Sequence, residues 1–188
     1  MMIADTAIPD VKLITPKKLG DHRGFFAEVY KRHALADAGI HIDFVQDNHS
    51  LSAQVGTVRG LHFQTPPHAQ AKLVRCVRGA ILDVAVDIRV GSPTFGKHVA
   101  HVLAADAMTQ MLIPIGFAHG FATLAPDTEV IYKVSDIYAP QHDAGILWCD
   151  PDLGIDWRID ADDAVLSDKD RRHPRLCDYP SPFVYQSR

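Results

Sequence analysis

An all-β jelly-roll barrel with short peripheral helices is the fold this sequence predicts, and three observations predict it. Short β-prone segments follow one another at close spacing, Gly/Pro-rich turns separate them, and one segment, Ala80 to Arg89, alternates cleanly. Its Leu82, Val84, Val86 and Ile88 fall on one face and Ile81, Asp83, Ala85 and Asp87 on the other, because successive strand residues point to opposite sides. A chain of 188 residues, 47% of them hydrophobic, suffices for one large core, so residues 1–188 are expected to form a single domain.

Taken in order, Val11 to Ile14 reads as a strand and Gly20 to Gly24 as a turn. Phe25 to Tyr30 returns as a strand that puts Phe26 and Glu28 on one face, close to Arg23. That face either lines a ligand site or belongs to an edge strand in solvent. Lys31 to Ala38, stopped by Gly39, predicts a short surface helix. Phe44 to Ser50 is a strand with Gln46 and Asn48 on a shared face. Strands follow at Arg59–Gln64, Lys72–Val77, Ala80–Arg89, His98–Leu103, Thr109–Ile113 and Glu129–Ser135. From Asp150 onward irregular structure packs on the barrel, with one helical turn over Leu166–Arg172.

A net charge of -4 and a pI near 6.2 give no general attraction to nucleic acid or to an anionic membrane, so phosphate binding would need a local cationic cluster. Three widely spaced cysteines with no CxxC pair argue against a disulfide framework or a zinc ribbon and for a reducing compartment. The first ten residues show no export signal, and Met111 to Ala125 is too broken by Pro114, Gly116, His119 and Gly120 to span a bilayer. The expected location is the cytoplasm.

Chemistry concentrates in Arg59 to Val74, a strand, turn, strand unit holding His62, two cations and two amides. Along its first arm Arg59, Leu61 and Phe63 are expected on one face, and Gly60, His62 and Gln64 on the other. Thr65-Pro66-Pro67 ends that arm, since proline offers no ladder donor. A lone strand histidine is more often a core or surface residue than a catalyst. Most of the 11 histidines sit in turns or polar context, but His62 and His119 lie among glycines and apolar residues, where an imidazole needs a partner. His62 is thus a base, a metal ligand or a buried structural group.

Pro114-x-Gly116-x-x-His119 resembles the second motif of the cupin superfamily, whose histidine often binds metal. Metal-binding cupins carry another histidine two residues after the first and then a glutamate. Here Gln64 and Lys72 stand instead, and an ammonium competes with a metal rather than ligating it, so no metal is expected. Two histidines, a lysine, arginines and a tyrosine suit proton abstraction α to a ketone, which needs a base, an oxyanion partner and an acid on the opposite face.

Ordered blocks along nearly the whole chain resemble the dTDP-4-dehydrorhamnose 3,5-epimerase family, cupin-fold enzymes that use no metal. They are Gly20-Asp21-x-Arg23-Gly24-Phe25-Phe26-x-Glu28, Gln46-Asp47-Asn48-x-Ser50, Arg59-Gly60-Leu61-His62-Phe63-Gln64, Gln70-x-Lys72-Leu73-Val74, Ser92-Pro93-Thr94-Phe95-Gly96, Ile113-Pro114-x-Gly116-Phe117-Ala118-His119-Gly120-Phe121, Tyr132-Lys133 and Leu166-Ser167-x-Lys169-Asp170. Ala71 stands where the family usually has glycine, and Asp143 where glutamate is common. The resemblance implies His62 as the base at C5 and C3 of a dTDP-4-keto-6-deoxy sugar, Asp170 as its orienting partner and Tyr132 as the acid. It further implies Lys72 at the enolate oxygen and His119 beside it, paired with Asp83. Arg23 and Arg59 would hold the diphosphate, whose oxygens match a guanidinium fork. Phe26, Glu28, Gln46, Asp47, Asn48, Asp143 and Lys169 fall at substrate-contact positions, and Tyr138 at the residue stacking on thymine.

Against these stand plainer readings: Ser167 to Asp170 is also a capping-box pattern, and Tyr132 and Tyr138 could be ordinary barrel aromatics. A homodimer and the absence of any cofactor are likewise implied by resemblance. The competing functions are a single-carbon epimerase or keto-isomerase, a non-catalytic sugar-nucleotide-binding cupin, and, last, a metal-dependent cupin enzyme.

Overall fold

The computed structural model describes residues 1–186. Two antiparallel sheets face each other. The first orders β1 (Met2–Asp5), β2 (Lys12–Thr15), β10 (Gln110–Ile113), β7 (Lys72–Arg78), β12 (Thr128–Val134) and β5 (Gln46–Ser52). The second orders β13 (Asp143–Gly145), β6 (Val58–Gln64), β11 (Phe117–Thr123), β8 (Ala80–Asp87) and β9 (His98–Ala104). A separate ribbon joins β3 (Lys18–Asp21) to β4 (Gly24–Ala27), and one helix, α1, covers Arg32–Ala36. The pairing is nested: β8 with β9, β7 with β10, β6 with β11 and β5 with β12. Folding such a nested hairpin over on itself produces the jelly roll that the sequence predicts.

Three apolar layers hold it. Between the sheets lie Val74, Cys76, Ile81, Ala85, Met111 and Phe121. On the outer face of the second sheet, Leu82, Val84 and Val86 pack under the tail residues Trp148, Trp157 and Phe183. The outer face of the first is covered by Leu35 of α1 with Tyr30 and Phe44, over Ile14, Leu73 and Leu112. Each such side chain contributes about 1.5–3 kcal/mol when fully buried. The Trp157 indole donates to the Trp148 carbonyl at 2.8 Å, which fastens the tail's own turn.

Strand β8 is therefore buried on both faces, and its two aspartates are fully buried as well. Asp87 is spent on structure: Arg89, Ser92 and Thr94 all donate to it. Asp83 points into the space between the sheets, where His119 waits. Neither aspartate of that strand face meets solvent.

The alternation expected for Arg59–Gln64 is broken once. His119 pairs with His62 while Phe121 pairs with Arg59, so three steps of β6 oppose two of β11. This β-bulge turns Arg59 to the side of His62, whereas Leu61 and Phe63 stay under the tail. Close approach of the two backbones is what the glycines permit: a Cβ at Gly60 would lie 2.5 Å from the Gly120 Cα. Elsewhere the differences are at element ends and in whole strands, β3 and β11 among them, that were not marked out as strands in the sequence. Strand β4 stops at Ala27, leaving Glu28 outside it, the expected helical turn shrinks to a 3-10 turn over Asp170–Arg172, and the short strands β1 and β13 carry no alternation that marks them in the sequence.

Candidate active site

A cavity of about 600 Å³ opens between the two sheets. Its floor and walls come from both: Arg59, His62 and His119 from the second sheet, Asn48, Lys72 and Tyr132 from the first. The tail segment Val165–Asp170 closes one side. His62 and Tyr132 thus stand on opposite walls because they belong to opposite sheets.

The His62 Nε2 meets Asp170 Oδ1 at 2.5 Å, leaving Nδ1 as the ring nitrogen free for other work. Asp170 comes from the tail, 108 positions away in sequence. Burial opposes its charge, yet the bonds from His62 and from the Ser167 hydroxyl outweigh burial and hold the carboxyl below its usual range. Both readings of Ser167 to Asp170 are realised together: the Asp170 backbone N–H donates to Ser167 Oγ at 3.2 Å, and the Asp170 carboxylate goes to His62.

His119 neighbours His62 across the β11–β6 pair, and its Nε2 lies 2.7 Å from Asp83 Oδ1. Burial pushes the His119 imidazole pKa down, with Asp83 pulling against it. Asp83 Oδ2 is buried and has no partner. Lys72 donates to the His62 carbonyl at 3.2 Å, and burial lowers its pKa to about 8 despite the nearby carboxylates Asp143 and Asp83. Burial raises the Tyr132 phenol, which keeps its proton at neutral pH.

The rim is polar. Arg59 donates to Ser52 Oγ at 3.1 Å and to the Leu51 carbonyl at 3.1 Å. Tyr138 donates to Asp143 Oδ2 at 3.2 Å, and Lys169 pairs with the same oxygen. Gln46 sits just behind, bonded to Asn48 and to the Tyr138 backbone N–H. The two amides of the Arg59–Val74 stretch hold the Tyr138 loop: Gln64 donates to the His68 and Ile137 carbonyls and accepts from Ala139, while Gln70 donates to Asp136 and Ile137.

Four sequence-derived positions lie away from the cavity. Asp47 points to the other side of β5, where it pairs with Lys133 at 2.8 Å. Arg23 pairs with Asp21, Phe26 is 65% exposed on β4, and Glu28 lies 3.6 Å from Lys31. Two features, one in the cavity wall and one behind it, escaped the sequence reading. Ser50 continues the Gln46, Asn48 alternation and keeps a buried, unpartnered Oγ in the cavity wall. His173 packs edge-on against His62 at 5.6 Å, and no local pattern marks it because it reaches the site through the tail.

The cupin metal position does not fit these side chains. Gln64 has no free amide atom to offer there, and the Lys72 ammonium shares the space with His62 and His119. A different donor set, His62, Asp170 and His173, presents ligand atoms within 4.8 Å of one another.

The sequence profile of the dTDP-4-dehydrorhamnose 3,5-epimerase family matches residues 5–178. A dTDP-4-dehydrorhamnose 3,5-epimerase of Sinorhizobium fredii is 52% identical, covering 98% of this chain and 94% of its own. The crystal structure of that enzyme from Bacillus anthracis, with TDP and PPi bound, superposes with TM-score 0.89 at 49% identity, over 93% of this chain and 98% of that one. A dTDP-6-deoxy-D-glucose-3,5-epimerase of Legionella pneumophila, in complex with dTDP-4-keto-L-rhamnose, reaches TM-score 0.94 at 41% identity over 99% of both chains. With a jelly roll, a cavity between its sheets and this likeness over almost its full length, the chain belongs to the dTDP-4-dehydrorhamnose 3,5-epimerase family.

Proposed function

We propose that this isomerase inverts C5 and C3 of dTDP-4-dehydro-6-deoxy-D-glucose to give dTDP-4-dehydro-L-rhamnose, by proton transfer alone. The observation that carries the reading is the His62–Asp170 bond on one cavity wall with the Tyr132 phenol on the other. His62 Nδ1 removes the proton α to the 4-ketone, and the electron pair moves onto the ketone oxygen. The Lys72 ammonium, with His119 beside it, receives that developing negative charge in a site where water screens little. Asp170 stabilises the imidazolium and fixes the ring's tautomer. Tyr132 returns a proton from the opposite face, which inverts the carbon. No step calls on a metal or a cofactor.

Arg59, Gln46, Asn48, Tyr138, Asp143 and Lys169 would receive the nucleotide at the rim. The alternate faces of β5 support Asn48 and Gln46 in that role more directly than Asp47. Arg23, Phe26 and Glu28 fit a substrate role if the chain is a homodimer, in which the β3–β4 ribbon of one protomer reaches its partner's cavity. Exposed Leu19, Phe25 and Phe26 on that ribbon support such a contact. The site gathers residues from Asn48 to His173, which favours one domain over 1–188. Three free cysteines suit a reducing cytoplasm.

The test is incubation with the 4-keto sugar nucleotide and identification of the product by NMR. Inversion at both carbons supports the proposal, inversion at one replaces it with a single-carbon epimerase, and binding without turnover replaces it with a binding protein.

A further inference from the structure

The tail brings a second imidazole to the base. Asp170 Oδ1 lies 2.5 Å from His62 Nε2 and 3.7 Å from His173 Nε2. The His173 side chain is only 10% exposed, and its Nε2 is buried with no hydrogen-bond partner among the described residues. A buried nitrogen of this kind ordinarily finds a partner. The chain also keeps room for it: Gly145, which pairs with His62 across β13 and β6, would place a Cβ 2.5 Å from that nitrogen.

Two imidazoles and a carboxylate are the donor set that zinc and its neighbours prefer, whereas magnesium and calcium want oxygen alone. Zinc holds such ligands at about 2.0–2.2 Å in a tetrahedron. Reaching it requires the His62–Asp170 pair to open slightly and His173 to close, small side-chain movements in groups already within 4.8 Å of one another. The fourth position would be taken by water.

We propose that His62, Asp170 and His173 form an inhibitory binding site for zinc. The ion takes the place of the proton shared by His62 Nε2 and Asp170 Oδ1, and that proton leaves to solvent. A dication on Nε2 opposes protonation at Nδ1, and Asp170, now a ligand, no longer supports an imidazolium. The base is silenced, and removal of the ion restores it. The remaining charged groups facing His173 are Lys169 and Asp143, which pair with each other, so neither blocks the ion.

Inhibition rests on the proposed function, but binding does not, and the two are read separately. The full chain, freed of metal, is titrated with zinc by calorimetry and with cobalt(II) by visible absorption. One ion per chain, a tetrahedral cobalt spectrum and loss of epimerisation reversed by EDTA are expected. His173→Phe keeps the ring's volume without its donor, and zinc affinity read by calorimetry falls by about tenfold or more. His173→Gln serves as the second variant where the phenyl ring disturbs the tail. The double variant Cys149→Ser, Cys177→Ser should bind as the parent does. Zinc affinity unchanged in both His173 variants, or an ion bound at this site without loss of activity, overturns the proposal. An inactive wild type that still binds one zinc through His173 leaves the site standing and sinks the functional reading instead.

Discussion

Asp170 divides two kinds of role cleanly. Its backbone N–H is capped by Ser167 while its carboxylate serves His62, so the two contributions separate in a single variant. Asp170→Asn keeps the cap and removes the charge. Turnover should fall roughly 10²–10⁴-fold with the urea midpoint little changed, because the amide supports an imidazolium poorly. As the proposed partner of the enolate oxygen, Lys72 would set the alkaline limit. Its pKa, lowered by burial to about 8, means the ammonium is present below that pH and lost above it. The rate should therefore decline as pH rises through about 8, measured as kcat against pH with the fold monitored by circular dichroism. Lys72→Met should remove most activity at every pH. At this scale the sequence was informative about which residues gather at the cavity and nearly silent about their partners. His62 and His119 stand out from their apolar, glycine-rich context, but the 108-residue separation of His62 from Asp170 leaves no local signal, and His173 leaves none either.

Strand periodicity explains most of the elements and fails where one residue too many is present. The bulge in β6 puts Arg59 beside His62, against simple alternation, since a single extra residue exchanges the faces of everything before it. Gly60, at φ +151, sits in that irregularity with its Cα against Gly120. Gly60→Ala should cost on the order of 1–3 kcal/mol from backbone strain alone, and more where the paired strands β6 and β11 cannot part, as read from denaturant unfolding. Activity should fall with it, because Arg59 and His62 flank the position. The alternation of β5 did carry through: Gln46, Asn48 and Ser50 share one side, and Asp47 pairs with Lys133 on the other. Strand β8 shows the opposite limit. Burial on both faces erases the contrast between core and solvent, so Asp83 and Asp87 look alike in sequence and differ only in what surrounds them.

For the whole molecule, nested pairing brings distant segments to one cavity, and the exposed β3–β4 ribbon remains without a cover of its own. Leu19, Phe25 and Phe26 are each more than half exposed there. Sedimentation should find two chains per particle, and replacing Phe25 and Phe26 by serine should weaken the dimer and raise KM more than it lowers kcat. A monomeric, fully active wild type would remove the dimer and, with it, the substrate roles of Arg23, Phe26 and Glu28. The jelly roll was legible because turns and short strands recur at regular spacing; its two-sided covering by the tail and by α1 was not, since Trp148, Trp157 and Leu35 show no periodicity that names their partners.

A base and an acid that face each other from opposite sheets exchange and invert the same carbon, and proton exchange in heavy water reads both events. The substrate is followed by NMR at C5 and C3 with the wild type, Tyr132→Phe and His62→Asn. The wild type should invert both carbons and leave deuterium on each, Tyr132→Phe should still exchange the proton at C5 while inverting it far more slowly, and His62→Asn should do neither. Exchange that persists in His62→Asn would contradict the account.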